Sequence, residues 1–350
     1  MAEYLFNERR YNDPEAARDY LESVRWPRGP VCPHCGAVDR ISKLNGKAHR
    51  PGVYDCGHCR DQFTVTVGTV FERSKISLDK WLLAATLMAA SKKGISSKQI
   101  ERMLGVTYKT AWFMTHRLRE AMKAPGGMFS SGGGTIEADA TYVGGKEKNK
   151  HRNKRTEGNI GGRGKTMVFS LVERETGKVR STTCLATIAA NHLRPYLSQQ
   201  LNVAKTRLIT DAERPLRGLK TLVASHETVN HEAGEYVRGD VTTNTVEGYF
   251  SILKRGIYGT FHNVSAQHLQ RYVTEFDFRY NHRETKVKID GKWAKAGHSD
   301  AERTDALLKG ISGKRLTYRR THATIERDKN APYHRRGTSV ARPQDAGCQP

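Results

Sequence analysis

Residues 135–145, TIEADATYVGG, mark the point where this sequence changes character. Before them, apolar residues recur at helical spacing, first Leu78, Trp81, Leu82, Ala85 and Met88, then again between Ser97 and Ala121. A glycine-rich break at 124–134 separates that helical region from the second half of the chain. From residue 135 the runs read as strands: TIEADATYVGG itself, KTMVFSLVERETGKVRSTTCLA at 165–186 with a turn near Thr176 and Gly177, and TRLITDAE at 206–213. A helix is expected at about 190–200, between the second and third of these. Strands interleaved with helices predict an α/β domain.

Working back toward the N-terminus, Asp13, Pro14 and Glu15 supply a cap, a first-turn proline and a first-turn acid. They predict a helix to about Val24. Cys32 and Cys35 are followed, after twenty residues, by Cys56 and Cys59, with Gly36 and Gly57 at or beside the turns. Two such turns can bring four thiolates to the corners of a tetrahedron around Zn²⁺, and a site closed by four cysteines is structural. His34 and His58, inside the pairs, are expected beside the metal site or toward solvent. Alternating Thr and Val from Phe63 to Val70 predicts a strand after the second pair.

The segment ISSKQIERMLGVTYKTAWFMTHRLREAM, from Ile95, reads as two helices, one starting at Ser96 or Ser97 and the other near Thr107, with Gly105 at the turn. A helix-turn-helix whose second helix is basic fits a DNA major groove, although helical hairpins also occur in bundles. Lys109, Arg117 and Arg119 are the candidate DNA contacts.

Charge supports a polyanionic partner. Lys and Arg number 59 against 36 Asp and Glu, a formal charge of +23. The apolar run WLLAATLMAA at 81–90 is about half the ~20 residues that a membrane-spanning helix needs. The first residues lack a secretory signal, and paired reduced cysteines suit a reducing compartment, so a cytoplasmic location is expected. Residues 144–165 hold eight Lys/Arg and two Glu, and the segment from Lys314 holds nine Lys/Arg and three acids. Both are expected to be mobile and basic. Cys184, in a strand-like run, is expected to be a small buried residue, and Cys348 free.

Acidic residues stand out against this background. Asp139 and Asp211 each end a strand-like run, and Glu247 opens the helix in TTNTVEGYFSILKRG, 242–256. Three carboxylates drawn together repel unless cations neutralise them. Two Mg²⁺ or Mn²⁺ ions held there would activate a water or 3′-hydroxyl and stabilise the leaving oxygen of a phosphodiester. Lys254, about two turns beyond Glu247, shares its helix face and with Arg255 is a candidate phosphate contact. Asn244 and Glu247 alone also read as a capping box. With Asp139 and Asp211 included, the metal site is the stronger reading.

Taken together, CPHC…CGHC, the helix pair, DATYVGGK, TDAE and NTVEGYFSILKRGIYGTFHNVSAQHLQRYVTEFDFRYNHR resemble the zinc-ribbon DDE transposases of bacterial insertion sequences, the ISXO-type group. The resemblance covers about residues 15–285. It implies a ribonuclease-H-like, retroviral-integrase-like catalytic domain, cleavage at the ends of an element, and transfer of 3′-hydroxyls into target DNA. Family members with asparagine as third catalytic residue leave Asn244 open beside Glu247; carboxylate is the better Mg²⁺ ligand. The expected partners are double-stranded DNA, as terminal inverted repeats and target, and further copies of the chain holding two ends, with no membrane. The expected organisation is an N-terminal helix (1–30), zinc ribbon (31–73), helix-turn-helix (77–123), linker (124–134), catalytic domain (135–285) and a basic, partly disordered tail (286–350).

Two other functions fit parts of the sequence. A zinc ribbon and helix-turn-helix suffice for a non-catalytic DNA-binding regulator, which leaves 135–285 without a role. HLQR at 268–271 is an HxxR sequence of the kind tyrosine recombinases use, with Tyr280 or Tyr318 as nucleophile. Leu269, Val273, Phe276 and Tyr280 trace an apolar helix face instead, which favours packing.

Overall fold

The computed structural model describes residues 7–130, 132–145, 149–155, 164–184, 190–212, 214–283, 285–289 and 292–317. Helix α1 (Pro14–Arg25) begins as its sequence dictates, with the Asp13 carboxylate accepting from the Glu15 N–H. The ribbon comes next as three short antiparallel strands, β1 (Ile41–Lys43), β2 (Tyr54–Cys56) and β3 (Gln62–Phe63). The strand expected from Phe63 to Val70 stops at Phe63. Thr64 and Thr66 share a hydroxyl contact, and the Thr69 hydroxyl donates to the Thr66 carbonyl while accepting from the Phe71 N–H. Threonine side chains that bond their own backbone favour turns over a ladder.

Helix α2 (Leu78–Ala90) is buried along most of its length. Helices α3 (Ser97–Leu104) and α4 (Tyr108–Ala121) are joined by three residues. Ser96 and Gln99 form a capping box, Gly105 takes the left-handed conformation at φ 61°, and the Thr107 hydroxyl caps α4. A residue with a Cβ would be strained at Gly105.

The second unit is built on a five-stranded mixed sheet. Strands β4 (Gly134–Val143), β5 (Thr166–Glu173) and β6 (Val179–Cys184) form an antiparallel meander, helix α5 (Ala190–Gln200) crosses over, and β7 (Thr206–Asp211) and β8 (Ser225–Val229) add parallel to the other side of β4. Spatial order is β6-β5-β4-β7-β8. Alternation along the strands sends Val168, Val172 and Val179 to one face, beneath α6 (Asn244–Gly256) and α7 (Ala266–Asn281). It sends Ile136, Ala138, Phe169 and Leu208 to the other, against α5 and the 3-10 helix Arg214–Thr221.

Edge strand β6 is closed by side chains of α7 in place of another strand. The N–H groups of Val179, Ser181 and Thr183 donate to Asn281, Asp277 and Gln270 at 2.7, 2.8 and 2.7 Å. That satisfies donors an open edge would leave to chance pairing. A Cβ on Gly256 would lie 2.2 Å from the Phe276 ring, so glycine sets how closely α6 approaches α7 before the π-turn Ile257–Phe261.

Residues 286–317 differ from the expected basic tail. Strands β9 (Thr285–Ile289) and β10 (Lys292–Ala296) pair as a hairpin. Helix α8 (Asp300–Lys309) then returns to the N-terminal unit, where Leu307, Leu308 and Ile311 join the core of α1, α2 and the ribbon. Three buried aliphatic side chains outweigh the basic composition around them. The rest of that tail, with Tyr318 and Cys348, lies outside the described residues, as do 146–148 and 156–163 of the basic loop and the side chain of Cys184.

Candidate functional site

The four cysteines converge. Their sulfurs all lie within 4.8 Å of one another, with Cys32 to Cys59 and Cys35 to Cys56 each 3.6 Å. Those separations suit a tetrahedral ion with bonds of about 2.3 Å, so the residues fit Zn²⁺. Each pair is a matching knuckle. The Gly36 N–H donates to the Cys32 carbonyl and the Arg60 N–H to that of Cys56, with Gly36 and Arg60 both left-handed. The backbone N–H of Cys59, then that of His58, draws the Cys56 thiol down, while desolvation and then the close-set sulfurs around them push Cys35 and Cys59 up, a mutual repulsion that a shared cation would relieve. His58 bonds Asp39 at 3.0 Å, on the outside of the knuckle.

The acidic residues gather where the pairing of β4 with β7 ends; β4 itself runs on to Val143 beside β5, so Asp139 lies within its strand and not at the end the sequence suggested. Asp139 and Asp211 lie one step beyond the last paired residues of the parallel strands β4 and β7, Ala138 and Thr210. Neighbouring strands are ~4.8 Å apart, so both acids issue from adjacent positions. One oxygen of each is anchored by the next residue's backbone, at 2.7 Å from the Ala140 N–H and 2.6 Å from the Ala212 N–H.

Glu247, in the first turn of α6, reaches the same place. His231 Nδ1 stands 3.7 Å from an Asp211 oxygen and 3.6 Å from a Glu247 oxygen. The Thr243 hydroxyl donates to Glu247 at 3.1 Å. No capping box forms, because the helix begins at Asn244 and its cap is Thr243, whose side chain accepts no bond from the first-turn N–H groups. Asn244 is exposed, and its N–H donates to the Thr242 hydroxyl at 3.2 Å. The carboxylates are set more widely than the thiols: among the described residues only the cysteines form a group of three or more ligand atoms within 4.8 Å. The three carboxylates supply the oxygen donors that hard divalent cations take, with the His231 imidazole beside two of them.

His231 and Thr243 were not legible as site residues. The signal available was a histidine directly after SHETVN, a strand run beside Asp211 in the sheet. Lys254 and Arg255 are exposed farther along α6, as is Lys109 on α4.

Arg117 and Arg119 lie elsewhere than the sequence suggested. Arg117 donates to the carbonyls of Glu72 and Leu316, both at 3.2 Å. Arg119 is fully buried against Glu275 at 2.7 Å. Neither offers its guanidinium to a ligand, because the C-terminal half of α4 is buried on opposite sides at once, Arg117 toward Glu72 and Leu316 and Arg119 toward Glu275. The HxxR residues are half-buried and engaged within the fold. Arg271 donates to His116, His268 lies against Trp112, and Tyr280 is buried edge-on to Tyr249.

Among the described residues, no helix is long and apolar enough to cross a membrane. A four-thiolate ribbon ahead of a mixed sheet with acids on two adjacent interior strands, β4 and β7, defines the class: a zinc-ribbon protein with a carboxylate-bearing α/β domain. Residues 12–62 match the transposase zinc-ribbon domain, and residues 132–281 match the ISXO2-like transposase domain. A protein of Halobacterium salinarum, described as an uncharacterized protein in transposable element ISH50, is 31% identical over 272 residues, 75% of this chain and 89% of that protein. The chain belongs to the zinc-ribbon transposases of insertion sequences. A chain in the simian T-cell lymphotropic virus intasome bound to PP2A regulatory subunit B56 gamma is 15% identical, covering 52% of this chain and 64% of its own length, with a TM-score of 0.27. That likeness is too slight to carry an argument.

Proposed function

We propose that the chain is a DDE-type polynucleotidyl transferase that cleaves DNA at the ends of its element and joins the released 3′-hydroxyls to target DNA. The observation that carries this is the placing of Asp211 and Glu247 on either side of His231, with Asp139 at the neighbouring strand position. The strand order β6-β5-β4-β7-β8 supports a ribonuclease-H-like reading of the domain.

In this reading Asp139, Asp211 and Glu247 hold Mg²⁺ or Mn²⁺. When bound, the cations would lower the cost of forming an oxygen nucleophile and neutralise charge on the leaving oxygen. His231 lies between two of the carboxylates and Thr243 fixes the Glu247 rotamer. Glu247 is preferred to Asn244 because its side chain is already turned to Asp211 through His231, whereas the contact Asn244 makes is from its backbone N–H to the Thr242 hydroxyl.

Lys254 and Arg255, on α6, and Lys109, on α4, are read as phosphate contacts, with α3 and α4 as a helix-turn-helix on DNA. Holding two element ends requires more than one copy of the chain. The test is joining of an end-labelled element terminus to a plasmid in Mg²⁺ or EDTA. Joined product in Mg²⁺ only, lost in Asp211→Asn, is expected; equal product from Asp211→Asn would overturn the reading.

A further inference from the structure

Strand β4 carries two acids on one face, Glu137 and Asp139. They have different environments: Asp139 is partly exposed and Glu137 is completely buried. One Glu137 oxygen accepts the backbone N–H groups of Thr245 at 2.8 Å and Val246 at 3.0 Å. The other accepts the Thr245 hydroxyl at 2.8 Å and the Arg174 Nε and Nη2 at 3.0 and 2.9 Å. Arg174 in turn donates to the carbonyls of Asp240 and Thr242, at 2.6 and 2.8 Å.

These partners are the start of α6 and the loop that leads into it. The first N–H groups of a helix have no partner within it and are ordinarily taken by the capping side chain. Here Thr243, at the cap position, turns its hydroxyl to Glu247, and a carboxylate from another element takes two of the orphan donors. Negative charge at that end is also favoured by the helix dipole. Glu137 stands two residues before Asp139, and the amides it holds immediately precede Glu247. One buried side chain therefore fixes the separation between the acid on β4 and the acid on α6.

We infer that Glu137 is a positioning residue, which with Arg174 sets Glu247 in place to share a divalent cation with Asp139 and Asp211. The inference rests on reading those three carboxylates as the cation site. Glu137 is not a ligand itself, since both its oxygens are bonded within the fold and neither faces solvent.

The experiment measures Mn²⁺ affinity by electron paramagnetic resonance of free Mn²⁺, using the zinc-loaded full chain without DNA. Asp211→Asn serves as the reference lacking a ligand. Glu137→Gln removes no ligand, yet is expected to weaken Mn²⁺ binding about tenfold, as loss of a group orienting a metal ligand does. Zinc content and DNA affinity in EDTA should stay at wild-type levels, and Glu137→Asp, which keeps the charge and both oxygens, should recover part of the loss.

A purely structural role would lower the melting temperature and leave Mn²⁺ affinity unchanged, and that result overturns the inference. Should Glu137→Gln not fold, Thr245→Val removes a single bond to the same carboxylate and is expected to weaken Mn²⁺ by a few-fold; unchanged affinity there is equally contrary. If wild type and Asp211→Asn bind Mn²⁺ alike, the cation reading falls, and the inference with it.

Discussion

Arg119, on α4, donates from Nε to the Glu275 carboxylate on α7 at 2.7 Å, and both side chains are wholly out of solvent. The second Glu275 oxygen is taken by Arg279, and the Arg119 guanidinium lies 3.8 Å over the Tyr272 ring. The helix pair is thereby joined to the α/β unit by a desolvated cluster of charges. Removing one partner strands a buried charge, which costs about 3–5 kcal/mol. Glu275→Ala is expected to lower the denaturant midpoint sharply. If Arg119→Ala instead weakened DNA binding with stability unchanged, Arg119 would be a DNA contact after all.

The same cluster gives an acid response. Burial, then the charges of Arg119 and Arg271, and then His268, hold His116 down at about 3, against 6.5 for a free histidine. Between those values the unfolded chain binds the extra proton, so the stability due to neutral His116 is present above about 6.5 and is lost as pH falls toward 3. Relative to His116→Gln, the wild type should lose up to about 1.4 kcal/mol per pH unit over that window. Urea unfolding of both proteins at pH 7 and pH 5 checks it; a constant gap would contradict the buried neutral state.

Zinc removal should be felt first in the ribbon. Trp26 packs edge-on to Tyr54 at 5.5 Å and to Phe63 at 5.8 Å, so its emission reports that small core. Cys59→Ser or a strong chelator is expected to release the metal and shift the tryptophan spectrum, with the shift absent in Trp26→Phe. A chelated protein with an unchanged spectrum would show that the ribbon stands without its ion.

Lys254 and Arg255 should act on DNA through charge. Replacing either with alanine is expected to weaken binding across sequences and lower the slope of log affinity against log salt by about 1. An unaltered slope would remove the replaced residue from the interface.

Legibility tracked how local each cause was. The cysteine knuckles, the helix start at Ser96 and the Gly105 turn are each decided within a few residues, and they lie where the pattern put them. Arg117 and Arg119 read as surface cations because their partners, Leu316 and Glu275, are distant in sequence. Thr and Val alternation promised a strand from Phe63 to Val70, but hydroxyls bonding nearby backbone gave turns beyond Phe63. Around the acidic site, Asp211 was visible as the acid that ends β7, whereas Asp139, read the same way, lies within β4, which runs on to Val143. His231 was not visible, since a single histidine carries no periodic signal and only the pairing of β7 with β8 brings it near.

The most direct measurement is nicking of a supercoiled plasmid carrying the element's ends, in Mg²⁺, by wild type, Glu247→Gln and Asn244→Ala. Glu247 is expected to be indispensable, so Glu247→Gln should lose nicking while still binding the plasmid, and Asn244→Ala should retain most of it. Nicking that survives in Glu247→Gln and disappears in Asn244→Ala would contradict the site built around Asp139, Asp211 and Glu247.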